Sequence, residues 1–218
     1  MHEEKAINIG VVFNQEGRVL MIRRMREESG GRGGVLRWAF PGGRAHEGES
    51  GAECAKREIY EETGYAITVV KEISSRMHPQ FPATITYYLC ELAMPEPVCR
   101  PSEPYEVAVI RWVRPQDVAE LVTSDLDANV QALLQTRSVA GAPDKELIVR
   151  HGDRVKIVMQ NGAQETLTIT SAGNADISKG TISDKSPVGK ALIGAHVGDV
   201  IAYRVGDNLR TLTLSELL

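Results

Sequence analysis

Residues 43–65, GRAHEGESGAECAKREIYEETGY, decide how this chain is read, because they set several glutamates and glycines in an ordered pattern around one central run. That run is Arg57-Glu58-Ile59-Tyr60-Glu61-Glu62-Thr63-Gly64. At about 3.6 residues per helical turn, Glu58, Glu61 and Glu62 share one stripe, since steps of three and four bring side chains together. Three acids are then expected to face one point.

Like charges at helical spacing repel, so a positive partner is required. A hard divalent cation such as Mg2+ or Mn2+ suits carboxylate oxygens and would carry substrate phosphate as well. The competing reading is a solvated acidic helix face. The flanks weigh against it. Phe40-Pro41-Gly42-Gly43 reads as a turn that stops a strand, and Ser50-Gly51-Ala52-Glu53 as a capping box that starts a helix. Gly64 fits the left-handed position just past the helix end.

Gly43, Glu49, Arg57-Glu58-Ile59, Glu61-Glu62 and Gly64-Tyr65, at the intervals they hold here, resemble a complete Nudix box. The resemblance implies an α/β fold, an α/β/α sandwich around a mixed sheet, and hydrolysis of a nucleoside diphosphate linked to another moiety with Mg2+ or Mn2+. Glu58, Glu61 and Glu62 are the implied metal ligands and catalytic acids, Glu62 foremost. Gly43 is expected to adopt backbone geometry closed to other residues and to offer its carbonyl to the metal. Arg57 is expected to point away from the acidic stripe and pair with Glu49, supporting the site. Glu106, before Trp112, stands where related enzymes place a further acid, a candidate general base or extra ligand.

Substrate phosphates need cations, and Arg23 and Arg44 are the leading candidates. Phe40, Tyr87 and Trp112 offer ring faces for a base, and His78 is a candidate substrate contact, each with core packing as the competing role. The glycine-rich 30–34 stretch reads as a loop, because no helix follows it. Arg76-Met77-His78-Pro79 and Tyr87-Tyr88 are similar to MutT-like nucleoside triphosphate pyrophosphohydrolases, whereas Pro79 also suits ADP-ribose pyrophosphatases. The nucleotide stays open.

The 218 residues are 42% hydrophobic and 25% charged, ordinary globular composition with room for two small domains. A formal net charge of -4 argues against a protein that coats nucleic acid, and no direct DNA binding is expected. Cys54, Cys90 and Cys99 lack metal-ligand spacing and read as reduced thiols of a cytoplasmic protein. No apolar run is long enough to span a bilayer, so no membrane partner is expected. Self-association into a homodimer is left open.

Strands are expected at residues 7–13, 19–22, 38–40, 67–70, 84–92 and 107–113, with a helix at 50–63 and further helices at 115–122 and 125–134. Small and polar residues at 136–145 read as a linker. The expected division is therefore 1–137, a linker at 138–145, and 146–218. The second module is expected to hold strands at 154–159, 165–170, 200–205 and 209–214 and a helix at 187–193 capped by Ser186.

Residues 179–200, KGTISDKSPVGKALIGAHVGDV, resemble the signature of the C-terminal, FKBP-like domain of the Gre transcript-cleavage factors. The resemblance implies a small α+β domain that docks on bacterial RNA polymerase through residues 183–187. Two features depart from that family. No sustained heptads precede the domain, so cleavage through a coiled-coil tip is not expected. Lys185 stands where some members carry an acid, although Asp184 lies beside it. Residues 145–218 hold nine Lys or Arg against eight Asp or Glu, too even a balance to select a partner.

A metal-dependent pyrophosphohydrolase acting on a nucleoside triphosphate or related nucleotide is the leading expectation. The alternatives are a polymerase-binding regulator whose first domain senses a nucleotide, and an enzyme that processes RNA 5′ ends.

Overall fold

A computed structural model describes residues 5–29, 35–78, 82–102, 105–122, 125–138 and 148–218. The chain divides into two compact units, Met1–Val107 with Trp112–Ala140, and Ala108–Arg111 with Gly141–Leu218.

The first unit is mixed α/β. Strands β1 (Lys5–Phe13) and β2 (Val19–Ser29) run antiparallel. The Asn14 side chain forms their turn by accepting the Glu16 and Arg18 N–H groups at 3.1 and 2.8 Å. Strands β3 (Val35–Ala39) and β4 (Gly42–Arg44) pair antiparallel with β2 and β1. Helix α1 follows (Gly51–Thr63), and then β5 (Ile67–Met77) and β6 (Ala83–Leu92) form an antiparallel pair. Parallel pairing of β6 with β1, from Lys5↔Ala83 to Phe13↔Glu91, makes the sheet mixed. Val11 and Val12 of β1 are both fully buried, as the unbroken apolar run of an interior strand requires.

Helix α1 lies on β1 and β4. Its inward residues are Cys54, Ala55, Ile59, Glu62 and Thr63, and complete burial of Ile59 contributes about 1.5–3 kcal/mol. The helix stops at Gly64, whose φ of 76° is open to glycine at little cost, and a Cβ there would meet the Cys99 carbonyl at 2.1 Å.

Strand β7 (Val107–Val113) occupies the expected range. Beyond it the single expected helix is a 3-10 turn (Pro115–Asp117) followed by one helical turn, α2 (Val118–Leu121). Only Pro115 and Val118 there are buried, too little apolar surface to hold a longer helix, and Val122 returns to extended backbone. Helix α3 (Ala128–Thr136) starts later than expected because Asp127 caps it, accepting the Asn129 and Val130 N–H groups.

The second unit is α+β. Strands β8 (Arg154–Met159), β9 (Gln164–Thr170), β10 (Thr181–Ser183), β11 (Val200–Val205) and β12 (Asn208–Leu217) lie in the order β10-β9-β8-β12-β11. Within that order only β10 and β9 pair in parallel. Helix α4 (Pro187–Leu192) is capped by Ser186, and Ile157, Ile169, Leu192, Ile201 and Leu214 form the core. Strand β10, three residues long, was outside the sequence expectations; it forms by pairing with β9 and is too short to show periodicity. Among the described residues no helix is long and apolar enough to cross a membrane.

Candidate active site

The capping box forms as the sequence implies. The Ser50 hydroxyl accepts the Glu53 N–H at 3.3 Å, and the Glu53 carboxylate accepts the Ser50 N–H at 3.0 Å and its hydroxyl at 2.6 Å. These bonds, the hydroxyl first, hold the Glu53 carboxyl below its usual range. The reciprocal cap fixes the helix start and with it the direction in which every later glutamate points.

Arg57 is the hub of the site. Its Nε donates to Glu49 Oε1 at 2.8 Å, while Nη2 donates to Glu49 Oε2 and to the Arg44 carbonyl, both at 3.0 Å. Its Nη1 donates to Glu58 Oε1 and Glu61 Oε2, both at 2.9 Å. A guanidinium has five N–H groups, and here five oxygens receive them. The Glu49 pairing is as expected, whereas the expectation that Arg57 would turn away from the acidic stripe is corrected. One fork reaches both sides because Glu58 is adjacent and Glu61 lies one helical turn on.

The hydrogen bond from Arg57 draws the Glu49 carboxyl down to about 2 from 4.5, and Glu49 in turn raises the guanidinium further above its basic value. Arg57 and Glu49 also line a groove of about 710 Å³ together with His46, Lys56 and Tyr60.

Glu62 departs from the stripe. It is buried, and its Oε2 accepts the Gly42 N–H at 2.8 Å. Among the described residues no three His, Cys, Asp or Glu side chains converge at metal-ligand geometry. The expected single meeting point of three acids is thus resolved into two: Glu58 and Glu61 on Arg57, and Glu62 on the backbone of β4. Mutual repulsion is relieved because each carboxylate finds its own N–H donor.

Gly43 stands out for a different reason from the one expected. Its backbone is ordinary, but a Cβ there would lie 2.4 Å from the Glu58 carboxyl carbon. Gly42 holds the special conformation, with φ of 150° and a would-be Cβ 2.3 Å from the Asn8 carbonyl oxygen. The Gly43 carbonyl faces the Cys54 thiol at 3.6 Å. Burial pushes the Cys54 thiol up to about 11 and the Cys90 thiol up to about 12, so neither serves as a nucleophile near neutrality. Oxygens that could hold a hard cation are therefore the Gly43 carbonyl and the carboxylates of Glu58, Glu61 and Glu62.

Arg44 is exposed at the end of β4, and Arg23 is half-buried on β2, opposite Trp38. Phe40 is buried, which corrects its expected role as a stacking face: its ring belongs to the core. Tyr87 is buried as well, beneath the Arg76 guanidinium at 6.0 Å, and Trp112 donates to the Tyr65 hydroxyl at 3.1 Å. His78 is half-buried, and its N–H donates to the Ala83 carbonyl at 2.7 Å, tying the end of β5 to the start of β6. Glu106 is exposed just before β7, where its carbonyl accepts the Met25 N–H at 2.7 Å. Pro79 and residues 30–34 lie outside the described residues.

Asn8 escaped the sequence reading. It is buried on β1, in register with Gly43, and its side chain interacts with the Cys54 thiol. An amide inside an otherwise apolar strand was the available signal.

In the second unit, residues 183–187 form a tight turn. The Ser186 hydroxyl donates to the Ser183 carbonyl at 2.6 Å and accepts the Gly189 N–H at 3.0 Å. Lys185 is exposed there, its ammonium 3.6 Å from the Asp184 carboxylate.

These elements set a loop-helix-loop on a mixed sheet, and comparison with known families gives it a place. The NUDIX domain model matches residues 4–134, more than half of the chain, and the chain belongs to the NUDIX family. The model of the C-terminal domain of the transcription elongation factors GreA and GreB matches residues 144–217. An RNA pyrophosphohydrolase of Bartonella bacilliformis is 40% identical over 74 residues, 33% of this chain and 44% of the relative. GreA of Thermoanaerobacter pseudethanolicus is 35% identical over 92 residues, 41% of this chain and 59% of the relative. A putative 8-oxo-dGTP diphosphatase of Bacillus subtilis is 30% identical over 105 residues, 48% of this chain and 63% of the relative. The chain thus spans between 44% and 63% of the length of these curated relatives.

Proposed function

We propose that residues 1–137 form a pyrophosphohydrolase, dependent on Mg2+ or Mn2+, that cleaves a nucleoside triphosphate or another nucleoside diphosphate derivative. Residues 138–145 would serve as a linker, and residues 146–218 would dock the enzyme on bacterial RNA polymerase through 183–187, which would place it in the cytoplasm. The observation that carries the catalytic reading is the Glu58 carboxylate set against Gly43, where even a methyl group would collide. The Glu58 carboxylate and the Gly43 carbonyl are hard oxygen donors of the kind a divalent cation takes, and they support the metal-dependent reading.

In the proposed reaction a water oxygen bonds to phosphorus, and the bridging P–O bond breaks with its electron pair leaving on the departing phosphate. When bound, the divalent cation neutralises the diphosphate oxygens and acidifies the attacking water. Glu58, Glu61 and Glu62, with the Gly43 carbonyl, would hold that cation. Arg57 and Glu49 fix the loop to the helix so that the carboxylates are positioned before substrate arrives. Arg44 and Arg23 would pair with phosphate oxygens, His78 would contact the substrate, and Glu106 would take the proton from water.

Glu61→Gln and Glu62→Gln, each assayed at saturating Mg2+, are expected to lose at least about 10²-fold in turnover while remaining folded. Undiminished activity in both would sink the reading. A panel of canonical and oxidised nucleoside triphosphates, ADP-ribose, NADH, dinucleoside polyphosphates and capped RNA would identify the substrate. Capture of RNA polymerase by the full chain, weakened by Asp184→Lys, tests the docking role.

A second reading is favoured by one observation: the stretch related to an RNA pyrophosphohydrolase and the GreA-like stretch occur in one chain. Under it the substrate is the 5′ triphosphate of RNA. Resistance of triphosphorylated RNA ends to the enzyme would reject it.

A further inference from the structure

Arg57 does more than anchor the loop. Three of its N–H groups go to Glu49 and the Arg44 carbonyl, and the other two, both on Nη1, go to Glu58 and Glu61. Glu58 and Glu61 are two of the carboxylates to which the metal-dependent reading assigns the cation, and the inference rests on that reading. A cation that takes Glu58 Oε1 or Glu61 Oε2 takes an oxygen already bonded to Nη1. On those two oxygens the positive charges compete, while Glu49 stays out of the contest.

We propose that Arg57 is the resident counter-cation of the acidic stripe, and that metal loading is an exchange in which Nη1 yields Glu58 and Glu61 while Nε and Nη2 keep hold of Glu49. The division of labour follows from geometry. The Glu49 contact is bidentate, at 2.8 and 3.0 Å, whereas Glu58 and Glu61 each hold Nη1 by one bond. Bidentate pairs are the stronger kind, so the single bonds open first. Arg57 is then a positioning residue that keeps like charges together before loading and sets the affinity at which a divalent cation enters.

This role makes a sign prediction that a merely structural role does not. If Arg57 only anchors the loop, removing either partner of the Arg57–Glu49 pair should weaken metal binding alike. Under exchange the two variants diverge. Arg57→Gln removes the competitor and tightens Mn2+ binding, whereas Glu49→Gln releases Arg57 entirely to Glu58 and Glu61 and weakens it. Long-range charge alone would push in the same directions, so Lys56→Gln, the same charge change at an exposed neighbour, sets that baseline.

The experiment is Mn2+ binding to the full chain, read from the paramagnetic resonance of free Mn2+, for the parent protein and the three variants. Tightening by about five- to tenfold is expected for Arg57→Gln and less than about twofold for Lys56→Gln. Arg57→Gln binding no tighter than Lys56→Gln, or shifts of one sign for Arg57→Gln and Glu49→Gln, would overturn the proposal alone. A parent chain that binds no Mn2+ would overturn the metal reading and the exchange with it.

A second readout needs no variant that must fold. In the parent chain with 15N-labelled arginine, Mg2+ titration should deprotect the Arg57 Nη1 hydrogens while the Nε hydrogen keeps its slow exchange. Loss of both together, or of neither, counts against the exchange.

Discussion

Helices α1 and α4 both open on a capping serine, and they put it to different use. At α1, Ser50 and Glu53 cap each other, and the helix that follows carries its acids toward Arg57 and β4. At α4, Ser186 holds the Gly189 N–H and the Ser183 carbonyl, so the cap shapes a backbone turn. Their glycines differ in the same way. A Cβ on Gly43 would strike the end of the Glu58 side chain at 2.4 Å, whereas one on Gly189 would strike the Ser183 carbonyl oxygen at 2.0 Å and its carbon at 2.9 Å. A flexible carboxylate can move aside, but packed backbone cannot. The lesson is that α1 reserves its space for charge, while α4 spends it on shape.

Substituting the two glycines is the strongest way to break that contrast. Gly43→Ala should displace the Glu58 carboxylate and cut kcat/KM roughly 10²-fold, with Tm moving by no more than about 2 °C. Gly189→Ala should do the reverse, costing roughly 2–4 kcal/mol in urea unfolding while hydrolysis per folded molecule stays at the parent level. If Gly43→Ala destabilises the protein as much as Gly189→Ala does, the reserved space near Glu58 is packing and the contrast collapses.

The next effect is smaller and depends on pH. The Glu49 carboxyl titrates near 2 in the folded protein, against 4.5 as its ordinary value. A lowered carboxyl contributes stability that is present above pH 4.5 and lost as pH falls from there toward 2. Because Glu49 is part-exposed, the loss is about 1–3 kcal/mol. Urea midpoints at pH 5 and pH 3 should therefore separate in the parent chain and draw together in Glu49→Gln. An equally steep acid limb in the variant would move the effect elsewhere.

Much of α1 was legible before the structure, for local reasons. Ser50, Glu53 and Gly64 act within a turn of themselves, so their spacing alone foretells a cap at one end and a left-handed stop at the other. Strand β4 was not legible. Gly42 and Gly43 carry turn propensity, and only pairing with β1 makes them a strand. The glutamates were half legible: periodicity places Glu58, Glu61 and Glu62 on one stripe but does not say which N–H each will find. Glu62 turns inward because Gly42, remote in sequence, presents its amide there. Phe40 and Tyr87 show the same limit from the apolar side, since an aromatic at the edge of a motif serves core and ligand equally well until burial decides.

The smallest prediction sharpens the contrast at the caps themselves. Ser50→Ala and Ser186→Ala each remove a side-chain acceptor from a helix start and should each cost about 1 kcal/mol. Stability alone will not tell them apart. The difference lies in the reply: Glu53 answers Ser50, and the Ser50 hydroxyl is the first cause of its lowered carboxyl pKa. In Ser50→Ala the Glu53 carboxyl should therefore titrate closer to the ordinary glutamate value, as followed by the 13Cδ chemical shift. In Ser186→Ala it should not move. An unshifted Glu53 in Ser50→Ala would mean that backbone and helix dipole alone hold that carboxylate, and the electrostatics of α1 would then begin at Arg57 rather than at its cap.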